Sequence, residues 1–298
     1  MTWDLYTKGI LWGLLAVIFA YLGMSATAAR KLIKPIRIFD PNKRFVFDAE
    51  PEDVYILTSD HQNIAGWYLE SKSSDQAIIL VHGLHSSRTQ EFAGQFTEFG
   101  AALNRQGFSI LMIDLRGHGQ SSDAKLTFGL TERKDIIAAA HWLKHKGFRA
   151  GKIGVLGVSM GSACVIGAAA DTPDIAAIVI DSGYAEVYPI MQKHWQSASG
   201  LPDVFLPSVM IFGRLLTGYD LTSSKPVQEI HHLSPRPVLL IHSKLDPYTS
   251  VDNAYQLKAA YPPAEYWETD AQTHPESYNT DPRLYVDKVT DFFRRCLK

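Results

Sequence analysis

The residues best suited to covalent chemistry in this 298-residue chain are Gly157-Val158-Ser159-Met160-Gly161, a serine held between two glycines. The spacing fits the G-x-S-x-G nucleophile elbow, in which a buried strand turns sharply into a helix and leaves the serine hydroxyl exposed at the bend. Side chains at Gly157 or Gly161 would crowd that turn, and the serine itself must take strained backbone geometry. A serine hydroxyl attacks poorly until an imidazole takes its proton and a carboxylate fixes that imidazole's tautomer, so Ser159 requires a histidine and an acid elsewhere. The rest of the chemical inventory is quiet. The histidines form no H-E-x-x-H pair, and His231-His232 lies in a polar stretch that reads as solvent-facing. Cys164 and Cys296 match neither a disulfide framework nor a zinc site and read as structural thiols. No metal or cofactor is expected. The net charge of −2 and the lack of a sustained basic stripe argue against a nucleic-acid partner.

The elements that must position Ser159 are legible on both sides of it. Ile153 to Leu156 reads as a short buried strand, and Ser162 to Ala170 is small and apolar, as suits a helix packed closely on a sheet. Upstream, Val54–Leu57 and Ile64–Leu69 flank a polar turn containing His61 and predict an antiparallel hairpin. Gln76–Val81 and Phe108–Ile113 are continuous apolar runs expected of inner parallel strands, each followed by a helix, about 89–105 and 131–146. Ile175–Ile180 continues the pattern. This strand-helix rhythm predicts an α/β fold with a mostly parallel sheet covered on both faces.

Three loop motifs in chain order carry a family resemblance: His82-Gly83, Asp114-Leu115-Arg116-Gly117-His118-Gly119-Gln120-Ser121 and the elbow itself. Together they resemble the α/β-hydrolase family, and within it membrane-anchored bacterial members near the serine aminopeptidase and monoacylglycerol lipase-like branches. The resemblance runs from about Val54 to the C-terminus, leaving out the middle insertion, and implies the chain order nucleophile, acid, histidine. Pro237–His242 reads as a strand running into Ser243-Lys244-Leu245-Asp246, which puts Asp246 at a strand's C-terminal end and makes it the expected acid. His274, in the loop after the strand-like Glu265–Glu268, takes the place where such a fold presents its histidine. Asp181 also ends a strand, but in sequences of this kind an Asp there is usually a structural partner. Asp270 reads as a solvated loop carboxylate, and His118 as the holder of a glycine-rich turn. The oxyanion hole is assigned by position to the backbone N–H groups of Met160 and Leu84. His82 reads as structural.

Two segments lie outside this pattern. Gly9 to Ala29 carries no charge between Lys8 and Arg30 and is long enough to cross a bilayer as a helix. The basic cluster Arg30, Lys31, Lys34, Arg37, Lys43 and Arg44 favours a cytoplasmic C-terminal side. The expected organisation is therefore a transmembrane anchor over 1–34, a linker over 35–51 and a hydrolase domain over 52–298. Within that domain, 183–233 is rich in large apolar residues and predicts a helical cap, a subset of whose side chains would line an acyl-binding pocket. The leading expectation is a membrane-bound serine hydrolase that cleaves carboxylic esters or thioesters, through an acyl-enzyme, of a small lipid-like or acyl substrate. An aminopeptidase or amidase with the same triad is the second reading, and a non-catalytic binding protein on the same fold the third. An aminopeptidase would need an acidic pocket for the substrate amine, and the cap offers no obvious acidic cluster.

Overall fold

A computed structural model describes residues 2–298, with side chains described from residue 6 onward. Met1, within the expected 1–34 anchor, lies outside the described residues. Helix α1 (Thr2–Leu32) begins the chain and is followed by a short 3-10 turn over Pro41–Val46. Strands β1 (Glu52–Leu57) and β2 (Asn63–Leu69) pair antiparallel as the expected hairpin. Then come β3 (Ala77–Val81), the short α2 (Glu91–Gly94), α3 (Phe96–Arg105) and β4 (Ser109–Ile113). The next units are α4 (Arg133–His145), β5 (Ile153–Val158), α5 (Met160–Asp171) and β6 (Ala177–Asp181). Between β6 and the next strand lie α6 (Val187–Ser199), α7 (Leu206–Thr217) and α8 (Pro226–Glu229). Strand β7 (Val238–Ser243), α9 (Asp252–Ala260), β8 (Glu265–Thr269), α10 (Ser277–Thr280) and α11 (Pro282–Cys296) complete the chain.

Among the described residues the strands form one eight-stranded sheet in the order β1-β2-β4-β3-β5-β6-β7-β8. From β4 to β8 every neighbouring pair is parallel. Strands buried on both faces have no need of polar alternation, and β3 shows why its run is wholly apolar. Ile79 and Val81 enter a cluster with α4 and α5, while Ile78 and Leu80 enter a second cluster with α3 and α11. Four loops that the sequence marks as chemical, after β3, β5, β7 and β8, thereby emerge at one edge of the parallel sheet.

The loop after β3 and the neighbouring loop after β4 are set by polar groups buried between them. Asp114, just beyond β4, accepts from the backbone N–H groups of Arg88 (2.8 Å) and Gln120 (2.9 Å) and pairs with the Arg88 guanidinium. Neither side chain of the pair is more than 1 % exposed. The glycine at 119 is required by the same carboxylate, since a Cβ there would fall 2.0 Å from an Asp114 oxygen. Asp114 thus ties the loop after β3 to the loop after β4.

The expected helix over 89–105 is broken. Phe92 and Ala93 take left-handed backbone angles, φ 54° and 52°. Phe92 is fully buried in an aromatic cluster with Phe96, Phe99, Tyr278 and Tyr285, at centroid separations of 5.2–5.7 Å. Burial of that ring offsets a local strain that helix periodicity could not reveal. Residues 35–51, expected as a linker, lie against the domain. Arg37 donates to the carbonyls of Gly119 and Ser121, Phe39 meets the Trp67 ring at 5.6 Å, and Phe47 is buried beside the same indole.

Replacing one member of a buried ion pair strands the other, which typically costs about 3–5 kcal/mol. Asp114→Asn is therefore expected to lower unfolding stability by about that amount. Chemical denaturation of the full chain in detergent checks it, and an unchanged midpoint would contradict the clamp.

Candidate active site

Ser159 is the residue between β5 and α5, and its backbone sits at φ 52°, ψ −118°. That left-handed conformation is costly for serine and is held by several neighbours. Its N–H donates to the Asp181 carbonyl at 2.8 Å, and the Ser162 hydroxyl reaches the carbonyls of Gly157 (2.7 Å) and Asp181 (3.0 Å). The flanking glycines are steric necessities. A Cβ at Gly157 would lie 2.5 Å from the Gly161 carbonyl oxygen, and one at Gly161 would lie 2.5 Å from that of His82.

The three side chains singled out by type and order come together across three strand ends. Ser159 Oγ is 2.8 Å from His274 Nε2, and His274 Nδ1 is 2.6 Å from Asp246 Oδ2. The other Asp246 oxygen accepts the backbone N–H groups of Tyr248 and Thr249, both at 2.9 Å. Burial alone would raise the Asp246 pKa, but the His274 contact and the Thr249 N–H outweigh it and leave the carboxyl below its ordinary value. An ionised carboxylate on Nδ1 keeps the proton there and leaves Nε2 with its lone pair toward Ser159. The arrangement is chemically able to move a proton off the hydroxyl and return it.

The rejected candidates are accounted for by geometry. Asp181 is fully buried, accepts hydrogen bonds from Tyr285 (2.7 Å) and Ser182 (2.8 Å), and is pushed up to about 6 by burial. Asp270 pairs with Lys244 at the surface. His118 is buried against His82, 5.0 Å between rings, with Nδ1 on the Arg116 carbonyl. His82 itself joins two loops, because its Nε2 accepts from Leu115 N–H (3.0 Å) and its Nδ1 lies 2.7 Å from the Gly83 carbonyl.

Leu84 and Met160 line the same cavity as Ser159. Met160 opens α5, so its N–H has no partner within the helix and the positive end of the helix dipole adds to it. Gly83, just before Leu84, packs against Ser159, a contact the sequence did not expose. A Cβ on Gly83 would lie 3.0 Å from the Ser159 Cβ and 3.2 Å from both the Val158 carbonyl and a Glu91 oxygen. The buried Glu91 accepts the Gly83 N–H and thereby holds the loop. Burial raises the Glu91 pKa, and that same N–H opposes the rise.

The cavity has a volume of about 860 Å³. Its walls come from the β6–β7 segment (Val187, Ile190, Met191, Trp195, Leu201 and Leu206) and, unexpectedly, from α1. Ala20, Gly23, Met24, Thr27 and Ala28 of α1 all face it. Helix α1 is long and apolar enough to cross a membrane, which fits membrane anchoring, yet its C-terminal half is also joined to the catalytic body. Tyr21 Oη donates to the Val204 carbonyl and Ser25 Oγ meets Ser208 Oγ, both at 2.8 Å. No Asp or Glu lines the cavity among the described residues; its basic groups are Lys31, His85 and His194. His194 stacks on Tyr248 at 4.1 Å, and Tyr248 in turn lies 5.2 Å from the His274 ring.

Residues 72–232 match the family described as serine aminopeptidase, S33. The chain belongs to this family. The matched stretch holds Leu84 and Ser159 and ends before Asp246 and His274. Among curated proteins, the uncharacterised YqkD of Bacillus subtilis is 27% identical over 83% of this chain and 80% of its own. The uncharacterised Rv2307c of Mycobacterium tuberculosis is 29% identical over 54% of this chain and 60% of its own. Of solved structures, the Pyrococcus furiosus esterase Pf2001 superposes with a TM-score of 0.71 at 26% identity, covering 89% of this chain and all of that one. The α/β hydrolase GrgF from Penicillium, at 17% identity and a TM-score of 0.69, shares the fold. The member is thus an α/β hydrolase.

Gly83→Ala is expected to displace the nucleophile by tenths of an ångström, which should slow Ser159 phosphonylation by a fluorophosphonate roughly tenfold or more. Second-order labelling rates for wild type and variant would show it. Equal rates would mean that the loop yields without moving Ser159.

Proposed function

We propose that the protein is a serine hydrolase that cleaves carboxylic esters, thioesters included, of acyl substrates through an acyl-enzyme. The reading is carried by the unbroken hydrogen-bonded line from Ser159 through His274 to Asp246, at 2.8 and 2.6 Å. In the first half, Ser159 Oγ bonds to the carbonyl carbon as its proton passes to His274 Nε2. The carbonyl oxygen, now negative, is met by the N–H groups of Met160 and Leu84, each donor of this kind being worth about 2.7–4 kcal/mol. As the tetrahedral species collapses, His274 returns the proton to the leaving alcohol or thiol. Water then repeats the sequence on the acyl-serine and releases the acid. Asp246 stays ionised throughout and stabilises the imidazolium.

Ester cleavage is favoured over aminopeptidase activity by the cavity. Capture of a free amino terminus calls for a carboxylate, and the cavity presents apolar side chains with basic groups instead. A buried methylene contributes about 0.8 kcal/mol, so such walls suit a hydrocarbon acyl group. The esterase name of the Pyrococcus structure points the same way. In this reading 183–233 is the cap, 52–298 the hydrolase domain, and α1 a single-pass anchor that leaves the domain in the cytoplasm, as the basic residues after it favour.

The test uses the full chain in detergent or nanodiscs. A fluorophosphonate should label the wild type and leave Ser159→Ala unlabelled. His274→Gln and Asp246→Asn should each lower ester turnover on the order of 10³–10⁴-fold. Hydrolysis restricted to aminoacyl amides would move the activity to the aminopeptidase class. For the orientation, a reporter fused after Lys298 is expected to be active only when it is one that works in the cytoplasm.

A further inference from the structure

The length of α1 does not fit a picture in which the helix crosses the membrane first and meets the enzyme afterwards. A bilayer core is about 30 Å thick and takes about 20 helical residues. The uncharged stretch Gly9–Ala29 has that length, rising about 31 Å. Its first twelve residues, up to Ala20, rise only about 18 Å. The remainder of the span is the part already bound to the enzyme: Tyr21 on Val204, Ser25 on Ser208, and Ala29 fully buried in the core cluster. If α1 crosses, the hydrocarbon must reach α7 and the cavity wall.

The surface at that level is made for hydrocarbon. Helix α7 buries Leu206, Val209 and Met210 inward, yet Ile211 and Leu215 on its outer side are 62% and 74% exposed, and Val204 just before it is 65% exposed. They belong to a helix, with the turn before it, that packs on α1, whose own exposed side chains include Trp12 and Phe19. An outward apolar face of this kind marks a membrane or protein contact, and packing against a helix able to span a membrane selects the membrane. Inside the same wall, the side of α1 that faces the cavity carries four small residues, Ala20, Gly23, Thr27 and Ala28, beside the larger Met24 and Leu32. The space beside Gly23 is open, with nothing within 4 Å of a Cβ built there, and Thr27 follows four residues later on the same helix face.

We infer that α1 is a wall of the acyl pocket as well as an anchor, that the pocket opens at the level of the bilayer, and that it takes an acyl chain of a membrane-resident lipid ester. Gly23 and Thr27 then set how long a chain fits. The inference rests on the hydrolase reading for its ester bond, but the seating of the chain is tested separately.

The experiment uses the full chain in phospholipid nanodiscs. The ratio of kcat/KM for dodecanoyl against butanoyl p-nitrophenyl esters is measured for wild type, Gly23→Leu and Thr27→Leu, with Val17→Leu on the outward surface as control. A Cβ at Gly23 meets nothing within 4 Å, so leucine there is expected to enter open cavity space without displacing protein. Each excluded methylene is worth about fourfold, and the ratio should fall at least tenfold in both cavity variants while the control keeps it. Ratios within twofold of wild type in both would overturn the inference. In parallel, Ser159→Ala is irradiated in nanodiscs containing a phosphatidylcholine with a diazirine near the end of one chain. Adducts at Gly23, Met24 or Thr27 and on the cavity side of α6 support the inference even if the wild type hydrolyses neither ester, an outcome that would sink the hydrolase reading alone. Adducts confined to outward side chains such as Phe19 and Ile211 overturn it.

Discussion

Everything at the site depends on how closely the first turn of α5 approaches the end of β3. The contact is backbone against backbone: the space beside Gly161 is occupied by the carbonyls of Val81 and His82, and the space beside Gly157 by Gly161 itself. With no side chain to separate them, strand, turn and helix close so tightly that the residue at the apex is forced to a positive φ. The strain has a purpose. It lifts the Ser159 hydroxyl clear of the sheet edge, where a ring carried on a loop from β8 is able to reach it.

A site assembled from loops needs something to make the loops stiff, and here buried polar groups do that. Asp114 gathers the chain on either side of it with three contacts to Arg88 and Gln120, His82 bridges the ends of β3 and β4, and Glu91 holds Gly83 against Ser159. Asp181 performs a similar service below the elbow, where Tyr285 of α11 fixes its side chain and Ser159 and Ser162 use its carbonyl. Buried groups of this sort are tolerable only when their hydrogen bonds are met, and meeting them defines one arrangement of the loops. The hydrophobic layers on either face of the sheet supply cohesion, and the polar groups supply position.

The sequence disclosed the sheet because its signals were local: continuous apolar runs for β3, β4 and β5, a polar turn for the hairpin, a glycine-bounded serine for the elbow. Asp246 and His274 were legible by order and by their place after strands, and the structure brings both into line with Ser159. Other features depended on contacts between distant parts of the chain. The kink at Phe92 comes from aromatic rings on α10 and α11, and Gly83 looks ordinary until Ser159 is seen beside it. Residues 35–51 resemble a tether by composition, yet an arginine and two phenylalanines pin them down. Above all, the N-terminal helix looked separable because apolar content alone does not reveal a neighbour.

That last feature changes what counts as the minimal enzyme. Trimming a membrane segment to obtain a water-soluble protein is ordinarily a convenience, since the discarded part does no more than tether. Here the discarded part would carry off one side of the cavity beside Ser159, together with the partners of Val204 and Ser208. What remained would be an opened vessel whose shape belongs to the cut.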